Sequence, residues 1–376
     1  MRSRASVAAP DTDRLRAWSH ARQHLGHGAP GAGEALAGVI AVYSAHPSAP
    51  LALWARIRAM TAGAFTILES NRLAVRVVAM RGSAFLVPVD DADRIVAATR
   101  QPVPDSYLRG RGLDRASYEA LKPRILEALR EPSTPSDLRA ALGAHAAGAD
   151  PYFAMRAMAR DGLVVRVGTG RLRTDDLRWV ATDAWLGRPF LSLDPAETQE
   201  QLATAYLRAF GPARAEDFAW WAGITRSQAR VAFASAANVD VAAGHFLPVD
   251  LQGAWDSGAP LHLERVDVLP KWDPYTMGFA PDGRRRLVDD ADLAKAYSTR
   301  ETRVGATSGD GLPLVLRGGA AVAVWSQRLD GERMHITLRP FSSSEAASRR
   351  LLRDAEPEFG SLAELLSAKA AVSLER

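Results

Sequence analysis

Tyr43, Ser44 and His46 fall within one short stretch, Tyr43-Ser44-Ala45-His46-Pro47. A phenol, a hydroxyl and an imidazole can hold a polar ligand by hydrogen bonds, and the imidazole exchanges a proton near neutral pH. An apolar run, Val39 to Val42, leads into this turn, and an amphipathic helix is expected to leave it near Pro50. Pro47 and Pro50 fix φ and remove donors, and Pro50 suits a first helical turn. Polar groups on a loop braced this way are where binding and catalytic side chains usually sit. A carboxylate candidate, Asp273, lies in LPKWDPYTMGF, where Trp272 and Tyr275 stand beside Pro270 and Pro274 in a stiff loop. Asp273 suits chemistry there and suits capping the loop equally well.

The second set of functional candidates is cationic. Val75, Val77 and Ala79 alternate with Arg76, Val78 and Met80, the pattern of a strand running into a Gly82 turn, which Arg76 and Arg81 flank. Arg156 and Arg160 lie four apart on one expected helix face, and Arg166, Arg171 and Arg173 follow on an expected hairpin. Arg226 and Arg230 mark a later helix, Lys271 precedes Trp272, and Arg284, Arg285 and Arg286 form a run expected to be a basic tip. Only four of the 47 basic residues are lysine. Guanidinium forks suit phosphates and base edges, although GC-rich coding accounts for the larger share of this bias. A net charge of +4 permits nucleic-acid binding without demanding it.

The elements that must position these groups divide the 376 residues into several units. Residues 1–10 are expected to be a disordered start with no export signal. Residues 11–105 form a first unit that carries the turn and opens on a helix containing Leu15, Trp18 and Leu25. His20, His24 and His27 on that helix read as polar surface, since no further ligands of the usual kind lie nearby. Over 106–188 the order is helix, helix, helix, hairpin, with Thr134 as a cap, Met155 and Met158 inward, and strands around Gly168-Thr169-Gly170. That order defines a winged helix-turn-helix, whose third helix usually enters the major groove. It recurs over 189–250, and the first unit is readable as a third copy. Residues 251–342 turn to β pattern, with hairpins at Gly318-Gly319 and Asp330-Gly331, and 343–376 read as closing helices. The expected class is α+β: three tandem winged helix-turn-helix modules with a β-rich C-terminal domain.

The absence of cysteine excludes disulfides, thiolate zinc sites and thiol nucleophiles, and no apolar run approaches a membrane span of about 20 residues. A cytoplasmic, nucleoid-associated monomer is expected.

The motifs GVIAVYSAHPSAPLALWAR, VAMRGSAFLVP, YLRAFGPARAEDFAWWAG, LPKWDPYTMGF and LPLVLRGGAAVAVW, in that order, resemble the winged-helix family that includes the AlkZ-type DNA glycosylases. The resemblance implies a concave basic surface around duplex DNA, excision of bulky or N-alkylated purines without metal or organic cofactor, and a role in repair or antibiotic self-resistance. Relatives position the reaction with a Gln-x-Gln-like pair in the turn before the first long helix, which is Tyr43 to Pro47 here. Tyr43 and Ala45, or in the neighbouring alignment Val42 and Ser44, occupy those places. Ser83 and Phe85 stand where many relatives carry Thr and His. Three functions fit these residues: a monofunctional glycosylase using Tyr43, Ser44, His46 and Asp273, a non-catalytic duplex binder, and a docking module without DNA affinity.

Overall fold

Alternating apolar residues in Ala74–Val78 and Ala84–Pro88 build a tight antiparallel hairpin whose register runs from Ala74 opposite Pro88 to Val78 opposite Ala84. The computed structural model describes residues 11–26, 28–44, 48–143, 150–174, 176–258, 265–298 and 310–375. His27, His46 and the expected disordered start at 1–10 lie outside the described residues.

The hairpin is the middle of a five-stranded antiparallel sheet in the order Val42–Tyr43, Ala84–Pro88, Ala74–Val78, Val164–Gly168, Leu177–Ala181. The hairpins of the first two units are therefore one sheet, joined where Arg76 faces Arg166. The second strand of the later hairpin starts at Leu177, beyond the expected turn at 168–170, because Leu172 is drawn into the core and Arg173 is held elsewhere.

Asp114 caps the Arg115–Ala128 helix, and a reciprocal Thr134/Asp137 box caps Pro135–Leu142. Asp150 caps Pro151–Arg160, and Arg139 pairs with that same carboxylate at 2.7 Å, locking the last two helices together. These helices and their hairpin enclose a core of their own around Tyr118, Ile125, Met155 and Met158. The same element order returns in Pro195–Phe210, Ala215–Ala222, Arg226–Ser235 and the hairpin Asn238–Ala242 with His245–Pro248.

A second five-stranded sheet is ordered Lys369–Leu374, Arg333–Pro340, Ala320–Asp330, Leu314–Arg317, Val266–Leu269. The chain closes with one helix, Glu345–Leu365, and then the strand Lys369–Leu374, parallel to Arg333–Pro340. Sequence patterning predicts a second helix there. The alternation of half-buried and exposed side chains over 369–374 fits an edge strand, and the neighbouring strand supplies its hydrogen bonds.

One hydrophobic core runs from Leu25 through the first sheet and the Pro195–Phe210 helix into the second sheet. The expected amphipathic helix after the Tyr43 turn is instead the six-residue Ala49–Trp54, buried on every side. No helix among the described residues is long and apolar enough to cross a membrane.

Candidate active site

The Val42–Tyr43 strand is an edge strand, so its end is open on one side. Tyr43 pairs in register with Phe85 and sets its ring edge-on at 5.7 Å from the Phe85 ring. On its other flank the Trp272 indole lies 4.5 Å away between centroids. Trp272 holds φ at +59° while its backbone N–H donates to Gly311 O, so local strain fixes the indole against Tyr43. Lys271 Nζ sits 4.1 Å above the Trp272 ring. Ser44 donates its N–H to Ala84 O, and its buried Oγ has no hydrogen-bond partner among the described residues.

Beyond Tyr43 a cleft of about 400 Å³ opens between the Gly82–Ala84 turn and the Pro151–Arg160 helix. Arg156, Arg160 and Arg166 reach it, each stacked on an aromatic ring: Arg156 on Tyr152 at 5.7 Å, Arg160 on Tyr107 at 5.3 Å, Arg166 on Trp179 at 5.0 Å. At these distances each guanidinium is in cation–π contact with its ring. Gly82 has φ +69°, a conformation that favours glycine, and a Cβ there would lie 2.8 Å from the tip of the Arg160 side chain at Nη1. No carboxylate lines it among the described residues. Tyr107, Tyr152 and Trp179 escape the sequence reading, although Tyr152 and Arg156 share the four-residue spacing that marks one helix face.

Arg81 occupies a 3-10 turn at φ +53°, with its guanidinium 4.0 Å from the Trp220 ring centroid. Its side chain is exposed at the surface, with protein atoms crowding round it. Desolvation and the nearby charge of Arg284, partly offset by Tyr43 and Asp310, push its pKa down to about 10, which leaves it protonated at neutral pH.

The remaining cations scatter. Arg76 is buried and bridges Glu69 at 2.9 Å. Burial raises the Glu69 pKa despite that bridge and the Gly168 N–H. Arg171 is exposed, 3.6 Å from Asp176, and Arg226 is exposed. Arg173 donates to the Leu366, Ser367 and Gly331 carbonyls, tying the Val164–Ala181 hairpin region to the C-terminal domain. Arg230 pairs with Glu216 at 2.8 Å.

The expected basic tip at 284–286 is a folded turn. Only Arg285 is exposed, and it pairs with Asp290. Arg284 and Arg286 are buried, and Arg286 donates to Pro212 O at 2.7 Å.

Asp273 has no exposed surface. Its oxygens accept from Arg56 Nη1 and Nη2 at 2.9 and 2.8 Å, and Oδ1 also accepts the Tyr275 N–H. That geometry makes it the cap and counter-ion of a buried joint, closed to substrate. His20, expected at the surface, is buried and bonded to Asp267 at 2.7 Å.

The sequence model for AlkZ-like DNA glycosylases matches residues 36–364, and the chain belongs to that family. DNA glycosylase AlkZ of Streptomyces sahachiroi has the same fold: the two superpose with a TM-score of 0.75 over 98% of this chain and 100% of that one, at 18% identity. No curated protein sequence matches the chain.

Proposed function

We propose that this chain is a monofunctional DNA glycosylase that excises N-alkylated purines from duplex DNA, with Tyr43 at its centre. One observation carries the reading. Tyr43, which stands where relatives carry one of the polar pair, lines a cleft together with Tyr107, Tyr152, Trp179 and three arginines in cation–π contact with those rings. An N-alkylated purine is a flat cation. Tyrosine and tryptophan faces attract such a cation once it is extruded from the stack. The Arg156 and Arg160 guanidiniums on this wall suit the phosphates that flank an extruded nucleotide.

The chemistry then needs little from the protein. The glycosidic C–N bond breaks with its electron pair going to the base, which leaves neutral while the sugar develops oxocarbenium character. Water adds to C1′ and loses a proton, giving free base and an abasic site. Tyr43 positions the base, whereas the Ser44 hydroxyl is buried in the wall of a separate pocket with Glu69 and Arg76 and takes no part in this cleft. The proton passes to bulk solvent, since Asp273 is sealed against Arg56.

The test is single-turnover release of base from a duplex carrying N7-methylguanine, with protein in excess. Release well above spontaneous depurination supports the reading. Tyr43→Phe should retain it, and Tyr43→Ala should lower it at least ten-fold while duplex affinity stays within a few-fold. Release unchanged in Tyr43→Ala would remove Tyr43 from the site.

A second reading is favoured by the absence of any carboxylate in the described cleft wall: a protein that binds damaged duplex without cutting the glycosidic bond. Salt-sensitive binding without release from methylated or bulkier adducts would establish it.

A further inference from the structure

Two arginines meet at one indole beside the cleft and are spent on nothing. Arg284 is 3% exposed, its guanidinium carbon 4.0 Å from the Tyr297 ring centroid and 5.0 Å from that of Trp220. Arg81 approaches the same Trp220 ring at 4.0 Å. Arg284 Nε and Nη2 are buried with no hydrogen-bond partner. No carboxylate pairs with either guanidinium among the described residues, although Asp310 lies near enough to be felt by both. The neighbours in sequence behave differently, with Arg285 paired to Asp290 and Arg286 to the Pro212 carbonyl. Of the three arginines at 284–286, Arg284 is the one with no hydrogen-bond or ion-pair partner among the described residues.

The position is built. Arg214 bridges Asp217 and Asp282, and Asp217 also accepts the Ala280 N–H, which pins the start of the Pro281–Arg286 turn. A Cβ at Gly283 would lie 2.6 Å from Asp217 Oδ1, so the turn is pressed onto that carboxylate. From the other side, Gly223 at φ +76° admits the backbone of Arg81, whose N would stand 2.7 Å from a Cβ there. Both guanidiniums are therefore held by rigid backbone.

Rings satisfy the faces of a guanidinium and leave its in-plane N–H groups without acceptors. A buried charged donor without an acceptor, as at Arg284, is unfavourable, and the exposed Arg81 adds a second positive charge beside it. Burial lowers the pKa of Arg284, the direction an anionic ligand would reverse. The missing component is an anion with several acceptor oxygens. Arg81 immediately precedes Gly82 and Ser83, which line the cleft, so the anion would lie at the cleft's edge.

We propose that Arg81 and Arg284, arranged around Trp220, receive one backbone phosphate of the DNA strand whose nucleotide enters the Tyr43 cleft. The proposal rests on the reading of this chain as a DNA-acting protein, and its test needs no base release. An undamaged duplex is titrated with wild type, Arg81→Gln and Arg284→Gln over a range of salt. Each variant is expected to bind about ten-fold more weakly and to lose about 0.9 from the slope of log affinity against log salt, the share of one phosphate. A duplex scanned with single neutral methylphosphonates should weaken wild-type binding at one position at which both variants are indifferent.

Slopes equal to wild type in both variants would overturn the proposal, as would the absence of any duplex binding by wild type. Stabilisation of the protein by inorganic phosphate, lost in Arg284→Gln while duplex slopes stay unchanged, would replace DNA by a small phosphate ligand and also overturn it. If Arg284→Gln fails to fold, Arg81→Gln and the charge-keeping Arg284→Lys carry the test. Loss of base release with the slope effect intact would count against the glycosylase reading alone.

Discussion

Asp273 and Tyr43 show how differently two candidate residues can end once packed. Asp273 looks like a catalytic carboxylate in a stiff loop, yet its oxygens are engaged by Arg56 and a backbone N–H with no solvent in reach. Removing one member of a buried, hydrogen-bonded ion pair typically costs about 3–5 kcal/mol. Asp273→Asn is therefore expected to lower the melting temperature sharply while base release per folded molecule, measured well below the transition, stays near wild type. A rate loss of a hundred-fold or more in folded protein would return Asp273 to the chemistry. Tyr43 is legible in the sequence as a candidate because it interrupts an apolar run shortly before two prolines. Its ring partners, Phe85 and Trp272, are not, since Trp272 comes from more than 200 positions away.

At the scale of elements, glycine and arginine decide how turns and hairpins dock. Gly223 ends the Ala215–Ala222 helix in a left-handed conformation directly against the Arg81 turn. Gly223→Ala combines an unfavourable φ, about 1–2 kcal/mol, with a contact that the backbone must relieve. It is expected to destabilise the chain and to weaken duplex binding by displacing Arg81, as melting and titration would show. Arg173 sits on a hairpin that reads as a DNA-contacting wing, but its donors go to three carbonyls of the C-terminal domain. Arg173→Ala should loosen that junction and lower the melting temperature, while the salt slope of duplex binding remains that of wild type. A slope reduced by about 0.9 would make Arg173 a phosphate contact after all.

For the whole molecule, the N-terminal helix is fastened to the second sheet by His20 and Asp267. Burial alone would raise the Asp267 pKa, but the bonds and charges of His20 and Arg265 outweigh it and hold the carboxyl below its usual range. A carboxyl that binds its proton more weakly folded than unfolded adds stability above its unfolded pKa, about 3.9, and loses it as pH falls through the folded value. Thermal stability should thus drop on acidification below about pH 4. Asp267→Asn is expected to be less stable at neutral pH and to flatten that acid limb. A melting curve in which the variant keeps the full acid dependence would assign it to other carboxylates.

The sequence by itself determined the local grammar. The helix capped by Thr134, the Gly82 turn, the hairpins at Gly318-Gly319 and Asp330-Gly331, and the helix-helix-helix-hairpin order all rest on neighbouring residues and are present. The tertiary structure alone decided which of the arginines are spent. Arg76, Arg173, Arg230 and Arg286 find acceptors in distant segments, whereas Arg156 and Arg160 line a cleft and Arg284 keeps buried donors without a partner. It also merged two expected wings into one sheet and made the last expected helix a strand. The reason is physical. Caps and turns are satisfied within a few residues, but a guanidinium reaches far enough, and a sheet edge is indifferent enough to sequence distance, that their partners are set only when the chain packs.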